Sequence, residues 1–237
     1  MKDWIDFYDS AHSIYVSERH RDLHFQLLAD NIKAYIPDAD AVVIDYSCGE
    51  ALSAARVAEA CGKLVLAEPA PNLRARLAAR FKDNPKIEVC SLDDLADRPQ
   101  HAADLVIMNS VAQYITPDEL NAALAHIHAL LKPTGRFVLG DVLKPHSNVL
   151  GDAVTLLSFG RNYGFLTDAI GGLLRTAMSD YRVLRTRLGL ARYGEAEMIA
   201  RLRSCGFAAK RAAENLGHNQ RRMTFVATPL ASRDRET

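Results

Sequence analysis

The sequence lacks the features that mark membrane, secreted and metal-binding proteins. No apolar run approaches the roughly 20 residues that a membrane-spanning helix needs. The first residues, MKDWID, contain no apolar segment of the kind found in secretory signals. The four cysteines are scattered, without the spacing of a zinc site or a redox pair. These absences predict a cytoplasmic protein with reduced thiols, no transmembrane segment and no bound metal.

The sequence also has no excess of charge of either sign. Its 29 Lys and Arg residues balance 29 Asp and Glu residues. Proteins that bind nucleic acid or anionic membranes through their overall charge carry a surplus of basic residues, so neither partner is expected. The 237 residues show no internal repeat and no low-complexity linker. We therefore expect one domain over residues 1–237, with a small-molecule ligand.

What the sequence does contain is an apolar segment that ends in an acid and enters a turn of small residues. Residues 41–44 (AVVI) precede Asp45, and Ser47 and Gly49 lead into a helix-favouring segment at residues 52–60. This order predicts a buried parallel strand, a tight turn and a helix N-terminus. Such a turn binds nucleotide-like ligands because small residues allow close approach and unpaired helix N–H groups face the ligand.

A second acid strengthens this interpretation. Residues 63–67 (KLVLA) form another apolar segment, which ends in Glu68. A carboxylate about 20 residues after the first turn suits the hydroxyl groups of a ribose.

At these residues the sequence resembles the class I S-adenosylmethionine-dependent methyltransferases, and the resemblance extends from about residue 41 to residue 229. The family pattern is an acid followed by three glycines, each preceded by one variable residue. Asp45, Ser47, Gly49 and Ala51 occupy these positions, so two glycines are replaced by other small residues. The resemblance implies S-adenosyl-L-methionine as the cofactor. It also implies an α/β fold with a doubly wound, Rossmann-like sheet of seven strands in the order 3-2-1-4-5-7-6, an N-terminal helical segment and a helical insert. A terminal antiparallel hairpin is expected from strands at residues 207–215 and 222–228.

The resemblance also implies where the cofactor binds. In the family, an acid after the third strand meets the adenine. Ser91 holds this position here, followed by Leu92, and Asp93 or Asp94 would substitute if the loop shifts. Residues after the fourth strand lie beside the methyl donor. The predicted cofactor-binding residues are Asp45, Ser47, Cys48, Gly49, Glu68, Pro69, Ser91, Leu92, Asn109 and Ser110.

Class I enzymes share no single catalytic residue, so the candidates are chosen by position. Residues 1–37 are expected to form a helical cap over the cofactor, and the loop after the fifth strand is expected to overhang the methyl group. His218 falls between the last two strands and is a further candidate by position, but we expect an exposed hairpin tip there. If a histidine is the base, activity should fall below about pH 6.5. The predicted catalytic residues are Tyr15, His20, Asp141 and His146.

A long insert is expected between the fifth strand and the terminal hairpin. Residues 147–193 exceed what a strand-to-helix connection needs. The first half is apolar and the second half is rich in arginine, which suits a partly apolar acceptor with an acidic group. We expect this insert to form a helical lid that selects the acceptor, and an ordinary helical subdomain with a solvated arginine face is the alternative. Tyr163 and Phe165 are the predicted acceptor contacts.

Two other functions share these sequence features. A dinucleotide-dependent oxidoreductase uses a similar turn and acid, and a methyltransferase-like protein without catalysis would serve as a binding partner. The sequence does not distinguish oxygen, nitrogen and carbon acceptors, nor a monomer from a homodimer.

Overall fold

The computed structural model describes residues 2–9, 15–176 and 189–230. Its strands form one seven-stranded sheet. They are β1 (Val42–Tyr46), β2 (Lys63–Ala67), β3 (Ile87–Cys90), β4 (Ala103–Asn109), β5 (Leu131–Val142), β6 (Phe207–Arg211) and β7 (Met223–Pro229).

The strand order is β3-β2-β1-β4-β5-β7-β6, as predicted. Strands β1 to β5 are parallel to one another, whereas β7 is antiparallel to both β5 and β6. The predicted doubly wound sheet and terminal hairpin are therefore confirmed.

Helices cover both faces of the sheet and extend past its edge. They are α1 (Lys2–Asp9), α2 (Glu18–Lys33), α3 (Ala54–Ala58), α4 (Pro71–Phe81), α5 (Leu92–Ala96), α6 (Pro117–Leu130), α7 (Val149–Tyr163), α8 (Leu166–Thr176) and α9 (Glu195–Ser204). None of these described helices is both long and apolar enough to cross a membrane.

The core explains why the parallel strands are almost continuously apolar. Val43 and Leu64 pack into the cluster that contains α2, α3 and α4, whereas Ile44 and Val65 pack into the cluster on the opposite face. Successive residues of a strand point to opposite faces, and here both faces are buried. The central strands therefore present polar groups to a ligand at their carboxyl ends.

Local capping determines where several helices begin. The Ser17 side chain accepts a hydrogen bond from the His20 N–H at 3.3 Å, and α2 begins at the next residue, Glu18. Thr116 and Glu119 form a reciprocal capping pair at the start of α6, with distances of 3.2 and 2.8 Å. Such caps satisfy N–H groups that the helix itself leaves unpaired.

The described part of the insert is the helix pair α7–α8. Gly164, with φ 76°, ends α7 in the left-handed conformation. An added Cβ at Gly160 would lie 3.1 Å from Ala169, and one at Gly172 would lie 2.1 Å from Val16. These two glycines therefore allow close packing within the pair and against the residue before α2. The arginine-rich half of the predicted insert, at residues 177–188, falls outside the described residues.

The terminal hairpin differs from the prediction in its connection. We expected strands at residues 207–215 and 222–228, but β6 ends at Arg211 and β7 begins at Met223. The intervening residues turn back over the sheet edge because Asn215 is buried and bonded on all sides. Its side chain accepts from the Asp141 N–H at 3.1 Å and donates to the Asn219 carbonyl at 3.1 Å. We call residues 212–222 the return loop.

Candidate functional site

A cleft of about 410 Å³ lies at the carboxyl ends of the parallel strands. Residues that follow β1, β2, β4 and β5 form its floor. Its other walls come from α1, the start of α2, α7 and the return loop. This volume is in the range of small-molecule sites in proteins.

The floor of the cleft is built from backbone in an unusual conformation. Ser47, Ser110 and Asp141 follow or end β1, β4 and β5, and their φ angles are 61°, 59° and 62°. Left-handed conformations cost roughly 1–2 kcal/mol in residues that carry a Cβ. Ala51 also has a positive φ, of 41°. Ser47 and Ala51, which occupy glycine positions of the family pattern, therefore keep a glycine-like conformation despite their side chains.

Glu68 ties the first two turns together. Its side chain is 4% exposed; Oε2 accepts from the Gly49 N–H at 2.8 Å, and Oε1 accepts from the Ala70 N–H at 2.9 Å. Burial raises the pKa of Glu68, and the two N–H donors act in the opposite direction. Since each carboxylate oxygen can accept more than one hydrogen bond, Glu68 retains acceptor capacity for two hydroxyl groups.

Asp45 lies behind this turn rather than in the cleft wall. It lines a smaller cavity with Cys48 and Ser53, between α2, β1 and α3. Burial and the neighbouring Glu68 carboxylate raise the pKa of Asp45 to about 7. This acid therefore lies next to Cys48 of the turn and outside the lining of the cleft.

Most of the predicted cofactor-binding residues converge on the cleft. An added Cβ at Gly49 would meet no atom within 4 Å, so a ligand can approach the backbone at this point. Together with the free acceptor capacity of Glu68, this open space fits a ribose-containing ligand. The predicted residues that line the cleft are Ser47, Cys48, Gly49, Glu68, Pro69, Asn109 and Ser110.

Ser91 and Leu92, the predicted adenine contacts, do not line this cleft. The polar groups of Ser91 are used to cap α5. Its hydroxyl accepts from the Asp94 N–H at 3.0 Å, and its own N–H donates to the Asp94 carboxylate at 2.9 Å. The local sequence therefore serves helix initiation.

Three histidines meet at the far end of the cleft. His20 and His24 come from α2, and His218 comes from the return loop. The Nδ1 atoms of His24 and His218 are 3.3 Å apart. The Tyr15 ring lies 5.5 Å from His20 and 5.6 Å from His24, measured between centroids. We call His20, His24 and His218 the histidine cluster.

The prediction for His218 was wrong. We expected an exposed hairpin tip, but the His218 ring is partly buried and stacks on Phe159 at 4.6 Å. The return loop carries it inward because Asn215 and Asn219 are themselves buried and hydrogen-bonded. Of the signals in the sequence, only the run of amides around His218 indicates a loop with internal side-chain hydrogen bonds.

Burial keeps the cluster uncharged near neutral pH. It lowers the pKa of His20 to about 4 and that of His24 to about 3, and the neighbouring His218 acts in the same direction. The pKa of His218 is also lowered by burial. Burial, followed by the nearby Glu50 charge, raises the pKa of Tyr15, so this phenol stays protonated.

Asp141, a predicted catalytic residue, lines the cleft but is fully engaged. Oδ2 accepts from the Ser110 hydroxyl at 2.7 Å and from Arg222 Nη1 at 2.5 Å, and Oδ1 accepts from Asn215 Nδ2 at 3.1 Å. Burial disfavours the charge of Arg222, but Asp141 and Asp152 raise its pKa overall. The network joins β4, β5 and the return loop.

The remaining predicted residues lie outside the cleft lining. His146 is exposed, and Tyr163 is 42% exposed. Phe165 is only 2% exposed and stacks on the back of His20 at 5.3 Å. From the described part of the insert, Asp152 and Leu156 line the cleft instead.

Helix α1, within the segment expected to cap the cofactor, borders the cleft through two aromatic side chains. Trp4 and Tyr8 line the cleft, and the Tyr8 hydroxyl donates to the Tyr114 hydroxyl at 2.9 Å. Asp9 accepts from the backbone N–H groups of Asn72 and Leu73 at 2.8 and 3.0 Å, which caps α4. The only sequence signal was an aromatic-rich segment without a clear period.

Comparison with known proteins places these features in a wider context. Residues 43–135 match the model of a family described as a methyltransferase domain. This stretch begins in β1 and ends within β5, so it contains the turns that carry the predicted cofactor-binding residues. A comparison with curated protein sequences gave no match.

Solved structures share the fold at low sequence identity. One is Burkholderia thailandensis 1,6-didemethyltoxoflavin-N1-methyltransferase with bound 1,6-didemethyltoxoflavin and S-adenosylhomocysteine. The TM-score is 0.59 at 17% identity, over 97% of this chain and 87% of that chain. Another is human N-acetylserotonin methyltransferase in complex with SAM, with a TM-score of 0.56 at 13% identity over 87% of this chain and 52% of that chain. Mitomycin 7-O-methyltransferase has a TM-score of 0.55 at 16% identity, over 87% and 54%.

Proposed function

From a methyltransferase domain at residues 43–135 and a class I methyltransferase fold, we propose that this enzyme methylates a small, partly apolar acceptor in the cleft. Its cofactor is S-adenosyl-L-methionine. The observation that carries the proposal is the division of one cleft into two chemically different ends. Glu68 and the Gly49 turn lie at one end, and an uncharged cluster of histidine and aromatic rings lies at the other.

The first end would hold the cofactor. Glu68 accepts hydrogen bonds from two backbone N–H groups and has capacity left for the ribose hydroxyls. The open space above Gly49 and the lining residues Asn109 and Ser110 complete this end. Asp45 would act through the adjacent turn.

The second end would hold the acceptor. Tyr15 and Phe25 offer aromatic surface, and His20, His24 and His218 offer neutral hydrogen-bonding groups. Binding sites for small molecules combine apolar walls with a few placed polar groups in this way. Two structural neighbours are methyltransferases named for 1,6-didemethyltoxoflavin and for mitomycin, which is consistent with a small acceptor here.

The chemistry asks for alignment more than for charge stabilisation. When bound, the cofactor supplies a methyl group activated on a positively charged sulfur. The protein must orient the acceptor, exclude water and hold the acceptor proton where one is released. Trp4 and Tyr8 of α1, within the predicted cap at residues 1–37, would shield the cofactor end. The insert at residues 147–193 would border the acceptor through Asp152 and Leu156.

Calorimetry tests the proposal directly. S-adenosylmethionine and S-adenosylhomocysteine should bind, and NAD should not. Glu68→Ala should weaken S-adenosylhomocysteine binding by about 1–3 kcal/mol, since a hydroxyl loses a charge-assisted partner. Glu59→Ala removes an exposed acid outside the cleft and serves as the control.

Two outcomes would contradict the proposal. Binding of NAD alone would favour the oxidoreductase alternative. Cofactor binding without methyl transfer to any component of a metabolite extract would favour a binding protein without catalysis.

A further inference from the structure

We propose that the histidine cluster selects the acceptor, and that its ligand is an uncharged planar heteroaromatic molecule carrying an O–H or N–H group. Within the cluster, the His24–His218 pair takes the proton that methylation releases. This inference rests on the proposed function and names the substrate class of the same cleft.

A backbone hydrogen bond holds the His20 ring in one tautomer. Its Nδ1 accepts from the Val16 N–H at 3.4 Å, so in the neutral ring the proton is on Nε2. His20 is 6% exposed, and among the described residues its Nε2 has no hydrogen-bond partner. A buried donor without a protein partner calls for an explanation, and in a residue that lines a cleft a bound ligand supplies one. His20 lines the cleft, so it is placed to donate to an acceptor atom of the substrate.

His24 and His218 form a hydrogen-bonded pair. Their Nδ1 atoms are 3.3 Å apart, and two neutral rings can make this contact only if one Nδ1 donates and the other accepts. The donating ring then has a bare Nε2, and the accepting ring has an Nε2–H. Because both rings line the cleft, the pair offers one acceptor and one donor to a ligand.

The pair can therefore move a proton as well as bind one. A lone pair of the substrate oxygen or nitrogen forms the bond to the methyl carbon, and the electrons of the broken carbon–sulfur bond remain on the cofactor sulfur. The proton from the substrate O–H or N–H bond goes to the bare Nε2. The shared Nδ1 hydrogen bond lets the resulting positive charge pass to the second ring, whose own Nε2 proton can then leave.

The charges around the cluster point to an uncharged substrate. Arg222 acts on both His24 and His218. It is paired with Asp141 at 2.5 Å and with Asp152 at 3.6 Å. Asp152 also accepts from Asn219 Nδ2 at 3.0 Å. An anionic group beside His218 would therefore face two carboxylates whose neighbouring cation is already paired with both. Most of the arginines behind the expectation of an acidic acceptor lie at residues 177–188, outside the described part of the chain.

The shape of this end favours a flat molecule. The Tyr15 ring lies edge-on to His20 and tilted against His24 and Phe25, at centroid distances of 5.5 to 5.7 Å. Phe159 and Phe165 stack on His218 and His20 from behind, which fixes the orientation of both imidazoles. Rigid rings on several sides suit stacking and edge contacts with an aromatic ligand.

Hydroxyquinolines test the proposal, with quinoline carboxylates as the matched anionic probes. Binding of each probe to the S-adenosylhomocysteine complex is measured by calorimetry, and methyl transfer is measured with tritiated S-adenosylmethionine. At least one hydroxyquinoline should bind about tenfold or more tighter than the corresponding carboxylate, since the site carries neutral donors and acceptors. Tighter binding of the carboxylates, or no binding of any hydroxyquinoline, would overturn the proposal.

Variants separate recognition from proton transfer. His20→Phe should weaken hydroxyquinoline binding by about tenfold. His24→Asn and His218→Asn should lower kcat by about tenfold or more while cofactor affinity stays unchanged. His126→Asn, in a partly buried histidine of α6, is the control.

The outcomes distinguish this proposal from the proposed function. Unchanged probe affinity and kcat in all three cluster variants would sink the present inference and leave methyl transfer intact. Failure of the wild-type protein to bind S-adenosylhomocysteine would sink the proposed function itself.

Discussion

At the scale of single residues, the cleft depends on strained backbone that its neighbours hold in place. Ser110 and Asp141 both have left-handed conformations, and a hydrogen bond of 2.7 Å joins their side chains. Gly49, also left-handed, is held through its N–H by Glu68. Strain of this kind persists only where the surroundings determine the conformation, and it is concentrated at functional sites. These residues sit where strands end, so the strain positions the groups that face the ligand.

Gly49→Ala should reduce both stability and cofactor affinity. The φ of 62° costs alanine about 1 kcal/mol, and the new methyl group projects into space that is empty without a ligand. Urea denaturation should show the stability change, and calorimetry with S-adenosylhomocysteine should show a loss of affinity as well. Gly189→Ala is the control, because Gly189 has a similar φ of 74° and open space around an added Cβ but lies outside the cleft lining, so this variant should bind the cofactor normally. Normal affinity in Gly49→Ala would mean that no ligand approaches this turn closely.

At the scale of elements, α1 is fastened to the sheet domain through the start of another helix. Asp9, at the end of α1, caps α4 through two backbone N–H groups and also accepts from Asn72 Nδ2 at 2.9 Å. At the other end of the contact, Trp4 packs on Tyr114 with ring centroids 4.4 Å apart. The helix thus closes one side of the cleft by contacts at two places.

Asp9→Ala should loosen α1 without unfolding the sheet. Removing a helix cap costs about 0.5–2 kcal/mol, and here the loss falls on α4 and on the docking of α1 together. Hydrogen exchange should become faster in residues 2–9 and at the start of α4, and S-adenosylhomocysteine should bind more weakly. Asp6→Ala changes an exposed acid of the same helix and is the control. Equal exchange in the two variants would show that the cap does not hold α1.

At the scale of the whole molecule, the buried ionisable groups of the cleft link stability to pH. The folded pKa values of His20 and His24 are about 4 and about 3, below the usual 6.5. Between these limits the unfolded chain binds more protons than the folded chain, so stability falls as pH decreases from 6.5 toward 4. Asp45 acts in the opposite direction, because its folded pKa of about 7 lies above the usual 3.8. Its contribution is present at low pH and is lost as pH rises toward 7.

Stability should therefore decrease on acidification, with distinct changes in two variants. Each histidine changes the free energy of unfolding by up to roughly 1.4 kcal/mol per pH unit, and Asp45 changes it by a similar amount in the opposite direction. Urea denaturation at pH 7, 6 and 5 should give a smaller pH slope for His24→Phe and a larger one for Asp45→Asn than for the wild-type protein. The same lowered pKa values move the predicted loss of activity from about pH 6.5 to well below pH 5. Parallel slopes in all three proteins would contradict the assignment.

Local chemistry made much of the fold predictable. Continuous apolar segments must be buried on both faces, which identifies the parallel strands, and Ser17 and Thr116 satisfy helix N–H groups within a few residues of themselves. The strand order followed from resemblance rather than from such patterns. Glu68 was predicted to bind the cofactor because it follows an apolar strand, and in the structure it lines the cleft.

The histidine cluster was decided only by the tertiary structure. His24 and His218 are separated by 194 positions, and no periodicity links residues so far apart. Their contact depends on the return loop, whose path is set by buried hydrogen bonds of Asn215 to Asp141 and Asn219. The sequence by itself determined which strand ends carry polar groups, because burial along a strand is a local pattern. Which of those groups meet, and with what charge, depended on long-range packing, since desolvation and neighbouring charges exist only once the chain has folded.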